Sequence, residues 1–252
     1  MNLRIKTSLY TLAIVFSAIA SASSQAGDPL PSAKDVVAKM MRADDTRRSE
    51  LAGYTAQRRY VAVNKDRRAE MVVRVDCSSD GAKQFTVISE EGSSAIRKHA
   101  LYKMLSEETA ASRRGTREGS RITPANYTFN MLRQDTLDTG PAFVLAIVPK
   151  TENKYLIDGK IWVNAKDYSI VRVEGQPARD PSFWVHDVHI VHTYQQVGQF
   201  WLASSTHSTS EIRIFGRSEL TIENSNYALN PPKRPAAEAD IVASLVRSEK
   251  VQ

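Results

Sequence analysis

The feature that most limits the fold is a series of short segments in which apolar residues alternate with polar ones. A period of two is typical of strands with one buried face. Ten such segments follow one another, most of them separated by Gly, Asp, Asn and Ser, so we predict ten antiparallel strands with neighbours paired as hairpins. They cover approximately residues 54–63, 69–77, 83–89, 127–133, 142–148, 154–164, 168–176, 183–196, 200–212 and 218–227.

The large apolar residues of these strands share one face of the sheet. Residues two apart along a strand point to the same side, so a segment such as "AEMVVRVDC" has one apolar face. The sheet is therefore predicted to have a continuous apolar side that forms the wall of a ligand cavity. The candidate cavity residues are Met71, Val73, Val75, Phe85, Val87, Phe143, Leu145, Ile147, Ile157, Ile161, Val163, Val171 and Val173.

A helix is predicted before the first strand. Ser32 is placed to cap it, with Asp35 three residues later. Apolar residues at helical spacing follow and give this helix one apolar face: Val36, Val37, Met40 and Met41.

A second helix is predicted at residues 94–111, where good helix formers interrupt the strands. Its apolar stripe contains Ile96, Leu101, Met104 and Leu105. We predict that this helix is a movable lid over the apolar side of the sheet. The next segment, "RRGTREGSRITP", is predicted to be a long polar loop, whose glycines and charges make it a flexible hinge.

These elements predict an α+β fold that is mainly β. Ten strands with one apolar side favour a strongly curved antiparallel sheet, an unclosed β-barrel, with helices covering its concave face. Residues 27–230 are predicted to form this single domain, and residues 231–252 a polar C-terminal tail, helical at its end. The cavity between sheet and helices is the candidate site.

The N-terminal segment has the three parts of a secretory signal. Arg4 and Lys6 precede an apolar run at residues 9–20, and small residues lead to Ala26. The run is shorter than the roughly 20 residues that span a bilayer, so we predict cleavage after Ala26 and a soluble periplasmic protein. The alternative is an uncleaved N-terminal anchor. Gly27 stands where a lipoprotein would carry its acylated cysteine, so no lipid anchor is expected.

Cysteine and charge restrict the chain further. Cys77 is the only cysteine, so an intramolecular disulfide is excluded, and its place in an apolar strand pattern predicts a buried free thiol. Lys and Arg number 34 against 28 Asp and Glu, a net charge of +6. Loss of Arg4 and Lys6 with the signal leaves +4. The basic residues are scattered, which argues against a nucleic-acid partner and leaves a weak attraction to anionic headgroups open.

Motifs for catalysis or metal binding are not found in the sequence. His186, His189 and His192 are the most metal-like group, but a strand places His189 on the opposite face and separates the other two by about 20 Å. The Ser-rich stretches lack a nucleophile elbow, and there is no P-loop, dinucleotide fingerprint or HExxH motif. We therefore predict a protein that is not an enzyme and needs no metal or cofactor.

Aromatic residues are concentrated in the second half of the chain. Two interpretations are open for them: packing within the sheet, or contact with lipid. They are Trp162, Phe183, Trp184, Phe200 and Trp201.

Residues 155–223 resemble the exported proteins of the LolA/LolB-like outer-membrane lipoprotein-sorting family. The resemblance is carried by "GKIWV", an acidic turn, "VRVEG", then "PSFW" and "FWL", and extends more loosely over residues 96–149. It implies an unclosed antiparallel barrel with helices across its mouth and an apolar cavity for acyl chains. The basic loop at residues 113–121 departs from the family pattern. The family offers no short catalytic motif to transfer.

Two functions follow from these observations. The first is a periplasmic carrier or binding protein for lipoproteins or other acylated or hydrophobic ligands, held in the apolar cavity as a monomer. The alternative is an interaction module that senses envelope lipids and acts on a membrane-bound regulator, with an envelope membrane protein as partner. A lipid-modifying enzyme is the third possibility, for which the sequence names no nucleophile and base.

Overall fold

The computed structural model describes residues 29–231. The predicted signal segment, 1–26, and all but the first residue of the predicted tail, 231–252, lie outside this part of the chain.

Ten antiparallel strands form one sheet. Strands that follow one another in the chain are paired, with the exception of β3 and β4, which form the two edges of the sheet. β1 pairs with β10 as well as with β2. All ten predicted strands are present, with ends shifted by a few residues. They are β1 Gly53–Asn64, β2 Arg67–Ser78, β3 Lys83–Gly92, β4 Tyr127–Leu137, β5 Gly140–Pro149, β6 Ile157–Asn164, β7 Ile170–Pro177, β8 Val185–Val197, β9 Phe200–Ile212 and β10 Gly216–Leu229.

The sheet does not close, because its edge strands do not pair with each other. β3 and β4 follow one another in the chain, and the segment that connects them supplies the helices α2 Ser94–Ile96, α3 Tyr102–Ala111 and α4 Arg114–Ser120. A further helix, α1 Ala33–Glu50, precedes the sheet. The predicted fold class, a mainly β unclosed barrel with helices over one face, is confirmed.

Helix α1 begins at the predicted cap. The Ser32 hydroxyl accepts a 3.1 Å hydrogen bond from the Asp35 N–H and donates one of 2.7 Å to the Asp35 carboxylate. The apolar face of α1 packs on β4 to β7. We call this group the α1 cluster; its buried members are Val36, Val37, Met40, Tyr127, Leu145, Ile147, Leu156, Ile161, Val163 and Val173.

The predicted helix at residues 94–111 is present, and its middle is π-helical. α2 leads into a π-helix, Arg97–Leu101, and this into α3. We call the three together the lid helix. Two of its own residues, Leu101 and Leu105, are buried against the sheet, and Ile96 and Met104 are partly buried beside them. This lid cluster rests mainly on β1 and β2; its buried sheet residues are Tyr54, Ala56, Tyr60, Ala69, Met71, Val73, Val75, Cys77, Phe200 and Leu202.

The prediction of an irregular loop after the lid helix is wrong, because this segment contains α4. Arg121 follows α4 and donates a 2.6 Å hydrogen bond to Asp44 of α1. The Asn126 amide then donates to the carbonyls of Glu118 and Arg121. Contacts with α1 and the following turn therefore hold a helix that has no apolar stripe of its own.

Val171 lies on the other face of the sheet from Val173, which corrects one predicted cavity residue. Val163 pairs with Ile170, but Trp162 pairs with Arg172, so a bulge leaves Val171 without a partner on β6. One extra residue reverses the alternation. Val171 therefore packs in a separate cluster with Ala142, Val144 and Trp162.

Candidate functional site

The predicted cavity residues form the packed lining beneath the helices. Twelve of the thirteen belong to the lid cluster or the α1 cluster, or pack against one of them. Met71, Val73 and Val75 are fully buried beneath the lid helix. In this conformation the helices cover the surface that was predicted to line an open cavity. The lid cluster contains or contacts Met71, Val73, Val75, Phe85 and Val87; the α1 cluster contains or contacts Phe143, Leu145, Ile147, Ile157, Ile161, Val163 and Val173.

A buried ion pair joins the lid helix to the sheet. The Arg58 guanidinium on β1 donates to the Glu108 carboxylate on α3 at 2.6 Å, and Lys83 donates to the other oxygen at 2.8 Å. Arg58 also donates to Asn224 at 2.7 Å and to the Tyr60 hydroxyl at 3.1 Å. The predicted continuous apolar side is therefore interrupted here. Arg58 has the same parity as Tyr60, so alternation in β1 carried the signal that it faces inward.

Electrostatics keep this pair ionised. Burial alone would raise the pKa of Glu108, but Lys83 and Arg58 outweigh it and lower the pKa to about 2. The carboxylate raises the pKa of Arg58 although burial opposes this. Both groups are charged at neutral pH, so the lid helix is held by charge as well as by apolar contact.

His192 lies near this ion pair and stays neutral. Burial lowers the pKa of His192 to about 4, and its Nδ1 is 2.7 Å from the Thr206 hydroxyl. His186 lies 2.8 Å from Asp187, and His189 lies 3.9 Å from Glu174. The three histidines thus have separate partners. Within residues 29–231, no three His, Cys, Asp or Glu side chains are grouped to hold a metal ion.

An open cavity of about 360 Å³ lies between α1, α4 and the sheet. Its apolar lining residues, which we call the floor, are Met40, Met41, Ile122, Ile170, Tyr194 and Trp201. None of the thirteen predicted residues lines it. Met40 and Met41 are part of the predicted apolar stripe of α1, but the bulge that turns Ile170 toward this space has no signature in the alternation of β7.

Arginines surround the opening of this cavity. Arg121 binds Asp44, and Arg48 binds Glu118 at 3.1 Å, so α1 and α4 are linked across the opening. The other polar lining residues are Arg47, Arg117, Ser120 and Ser169. Arg47 donates to the carbonyl of Asp167 at 3.3 Å. The site thus combines an apolar floor with a charged rim.

The structure divides the aromatic residues between the two interpretations. Trp162 and Phe200 are buried in clusters of the sheet, and Trp201 packs against the cluster that contains Trp162. Phe183 and Trp184 are instead 68% and 54% exposed in the loop between β7 and β8. Sheet packing therefore explains the first three and does not explain the last two.

Cys77 is a buried free thiol, as predicted. It is 6% exposed within the lid cluster. Burial raises the pKa of the thiol. Since the thiolate is the reactive form, this environment favours an inert structural cysteine.

Fold and site together define a half-barrel protein whose concave face is covered by helices, with an open cavity of mixed apolar and charged lining between α1, α4 and the sheet. Across residues 29–231, none of the helices has the length and apolar character needed to cross a membrane.

Comparison with solved structures gives 24 similar chains. They include a DUF1329 family protein from Desulfovibrio piger, with 10% identity, a TM-score of 0.44, and coverage of 80% of this chain and 94% of that one. A domain from Vibrio parahaemolyticus named for outer membrane lipoprotein sorting has 14% identity and a TM-score of 0.39, covering 81% and 97%. A LolA superfamily protein from Nitrosomonas europaea has 10% identity and a TM-score of 0.36, covering 82% and 97%.

The LolA superfamily, which the sequence resembles, is among these structural neighbours. At identities of 10 to 14% and TM-scores below 0.5, the likeness concerns the broad fold and assigns no activity. No family model matches the chain, and no curated protein matches it.

Proposed function

We propose that this protein binds an acylated or otherwise hydrophobic ligand inside the half-barrel and carries it through the periplasm. The observation that supports this most is the apolar-floored cavity of about 360 Å³ beneath α1 and α4. Its volume lies within the range of about 300 to 1,000 Å³ that is common for small-ligand pockets, and its lining combines apolar side chains with an equal share of polar ones. The predicted signal at residues 1–26 supports an exported carrier.

The cavity provides an entry point for an acyl chain. Each methylene that leaves water contributes about 0.8 kcal/mol to binding. The floor residues Met40 and Met41 are well suited to a flexible chain, because methionine adapts to irregular shapes. The arginines at the rim keep the polar end of the ligand at the surface.

A longer chain needs part of the lid cluster as well, and this requires the lid helix to move. Its C-terminal half is held by Glu108, whereas Tyr102 and Arg97 bind Glu90 at 2.8 and 2.9 Å near the surface. The π-helix Arg97–Leu101 lies within the segment that Arg97 and Tyr102 attach to Glu90, and π-helical segments are frequent at functional sites. We propose that the lid helix pivots about the Glu108 end.

A non-enzymatic role is part of the proposal. The cavity offers apolar contacts and salt bridges to a ligand. Its lining includes Ser120 and Ser169 but no histidine that could activate them. A carrier needs only reversible burial of its ligand.

The test is displacement of a fluorescent polyene fatty acid, cis-parinaric acid, from the purified protein. Met41→Glu places a carboxylate on the cavity floor and is expected to weaken binding at least about tenfold. Met41→Leu conserves volume and apolarity and is expected to bind like the wild type. Ser120→Trp fills the opening without removing a core contact, and should also weaken binding. Failure of the wild type to bind the probe, or equal binding by all variants, contradicts the proposal.

The alternative, a lipid-sensing module acting on a membrane-bound regulator, is distinguished by native mass spectrometry of protein recovered from its own envelope fraction. A carrier is expected to retain an acylated molecule that Ser120→Trp loses. A stoichiometric protein partner that Ser120→Trp retains, without a bound lipid, favours the sensing module.

A further inference from the structure

Four large apolar side chains project into solvent from two neighbouring loops. Phe183 and Trp184 lie between β7 and β8, and Ile214 and Phe215 lie between β9 and β10. The last two are 80% and 55% exposed, comparable with the first two. We call these four residues the apolar tip. The other exposed large apolar residues within 29–231 are scattered over separate helices, strands and connections: Leu30, Ile88, Tyr102, Leu132, Val148, Tyr155 and Leu229.

Contacts between the two loops make the apolar tip one surface. The Arg213 N–H donates to the Trp184 carbonyl at 2.9 Å. The guanidinium of Arg213 lies 4.1 Å from the centre of the Phe183 ring, and that ring meets Trp184 edge-on at 5.4 Å. The aromatic rings are thus held side by side with a cation among them.

The backbone conformation at Ile214 indicates that its side chain does not stabilise the fold. Ile214 has a φ of 77°, in the left-handed region that glycine and asparagine favour and β-branched residues rarely adopt. Its 80% exposure means that little burial within the chain offsets this strain. A contact outside the chain explains an isoleucine at this position better than packing does.

Basic residues outnumber acidic ones in the segments that carry and adjoin the apolar tip, although Arg217 among them forms an ion pair with Glu219 at 3.5 Å. Asn64 donates to the Phe215 carbonyl at 3.1 Å, which brings the turn between β1 and β2 alongside. The segments 64–67, 179–184 and 213–219 carry five basic residues against three acidic ones. The basic residues are Lys65, Arg67, Arg179, Arg213 and Arg217; the acidic residues are Asp66, Asp180 and Glu219.

We infer that the apolar tip docks on the surface of a lipid bilayer that contains anionic lipids. Exposed apolar patches mark interaction sites, and aromatic side chains, tryptophan above all, favour the membrane interface. Basic residues beside them are attracted to anionic headgroups. The projecting side chains come from the tips of two loops, a shape that matches a flat lipid surface. The tip residues do not line the cavity of about 360 Å³, so this inference stands apart from the proposed ligand binding.

The test is co-sedimentation of the full chain with vesicles of phosphatidylglycerol and phosphatidylcholine, compared with phosphatidylcholine alone. Phe183→Ser combined with Ile214→Ser removes half of the tip and keeps Trp184 as a fluorescent reporter. Ile88→Ser combined with Leu132→Ser is the matched control, since these residues are 59% and 44% exposed on the edge strands. Every variant has the same N-terminal segment, so differences between variants report on the substituted residues.

We expect the wild type to bind the anionic vesicles, less strongly at high salt, with a blue shift of tryptophan emission. The tip variant should bind at least about tenfold more weakly, and the edge variant should bind like the wild type. Equal binding by the tip variant and the wild type overturns the inference. Equal binding of the wild type to anionic and to neutral vesicles also overturns it. The same holds if the tip variant loses a protein partner from an envelope extract while its vesicle binding is unchanged.

Discussion

The Arg58 guanidinium of β1 and the Glu108 carboxylate of α3 form a 2.6 Å ion pair that joins the sheet to the lid helix. The side chain of Arg58 is 6% exposed and that of Glu108 is 30% exposed. A buried charge is costly without its partner, so this pair specifies where the lid helix rests. The Arg58 guanidinium also lies over the rings of Tyr60 and Phe85 in the lid cluster.

Replacing Glu108 with leucine leaves the Arg58 guanidinium buried without a carboxylate. Removing one partner of a buried pair costs about 3 to 5 kcal/mol, and the partial exposure of Glu108 favours the lower end. We expect Glu108→Leu to lower the free energy of unfolding by about 3 kcal/mol in chemical denaturation. The double variant Arg58→Met/Glu108→Leu removes both charges and should be more stable than the single variant. A double variant as unstable as the single one contradicts this account.

The same region makes stability depend on pH in two ranges. Burial lowers the pKa of His192 from 6.5 to about 4, so between these values the unfolded chain binds more protons than the folded one. The free energy of unfolding therefore falls as the pH is lowered through this range. Glu108, whose pKa is lowered from 4.5 to about 2 by Lys83 and Arg58 against the effect of burial, adds a further loss below pH 4.5.

We expect the His192 contribution to reach about 3 kcal/mol at pH 4, from about 1.36 kcal/mol per pKa unit. Denaturation curves between pH 7 and pH 3 measure it. His192→Asn retains a group that can pair with Thr206 and does not titrate. In this variant the free energy of unfolding should no longer change with pH above 4.5, and it should still fall with pH below 4.5. An unchanged slope in this variant would show that another group is responsible.

The cross-strand pair of Gly159 and Gly175 leaves no room for a side chain. A Cβ on Gly159 would lie 2.6 Å from the Gly175 Cα and closer still to the Glu174 carbonyl. We expect Gly159→Ala to destabilise the fold by about 1 to 3 kcal/mol, as overpacking does. Gly119→Ala in α4 meets nothing within 4 Å and should instead stabilise it by up to about 1 kcal/mol. Thermal unfolding separates these outcomes, and a neutral Gly159→Ala would contradict the close approach.

Cys77 should react slowly with thiol reagents in the folded protein. It is 6% exposed, and burial raises its pKa, so both access and thiolate population are reduced. We expect labelling at least about a hundredfold slower than in denaturant. The control is Ser78→Cys in a Cys77→Ala background, because Ser78 is the exposed neighbour on the same strand. Similar rates for the two sites would show that Cys77 is accessible.

Strand alternation was enough to predict the sheet, because a sheet with one buried face repeats its pattern over every strand. Ten strands were predicted and ten are present. The same reasoning failed where the period breaks. The bulge in β7 places Val171 on the other face from Val173, and nothing in "SIVRVEG" distinguishes it from regular alternation.

The site was harder to predict than the sheet, because its parts meet only in three dimensions. Alternation in β1 places Arg58 on the same face as Tyr60, but nothing in the sequence shows that Glu108 of α3 is its partner. α4 contains two glycines, which disfavour a helix, and is held by contacts with α1 that the local sequence does not show. α4 forms one side of the open cavity. Because α4 was not predicted, the residues that line this cavity were not predicted either.

The last prediction concerns movement of the lid helix. Leu101 is fully buried, so a charge there would damage the fold itself, whereas Met104 is only partly buried in the same cluster. We expect Met104→Asp to weaken closure and to raise the binding of a fluorescent hydrophobic dye, with the β-sheet circular dichroism retained. Each 1.4 kcal/mol of closure lost raises the ratio of open to closed protein about tenfold. Lys103→Asp, on the exposed side of the same turn, is the control and should leave dye binding near the wild-type level. If the sheet signal collapses together with the lid in Met104→Asp, the lid helix is a fixed part of the core, and ligand entry is limited to the open cavity beneath α1 and α4.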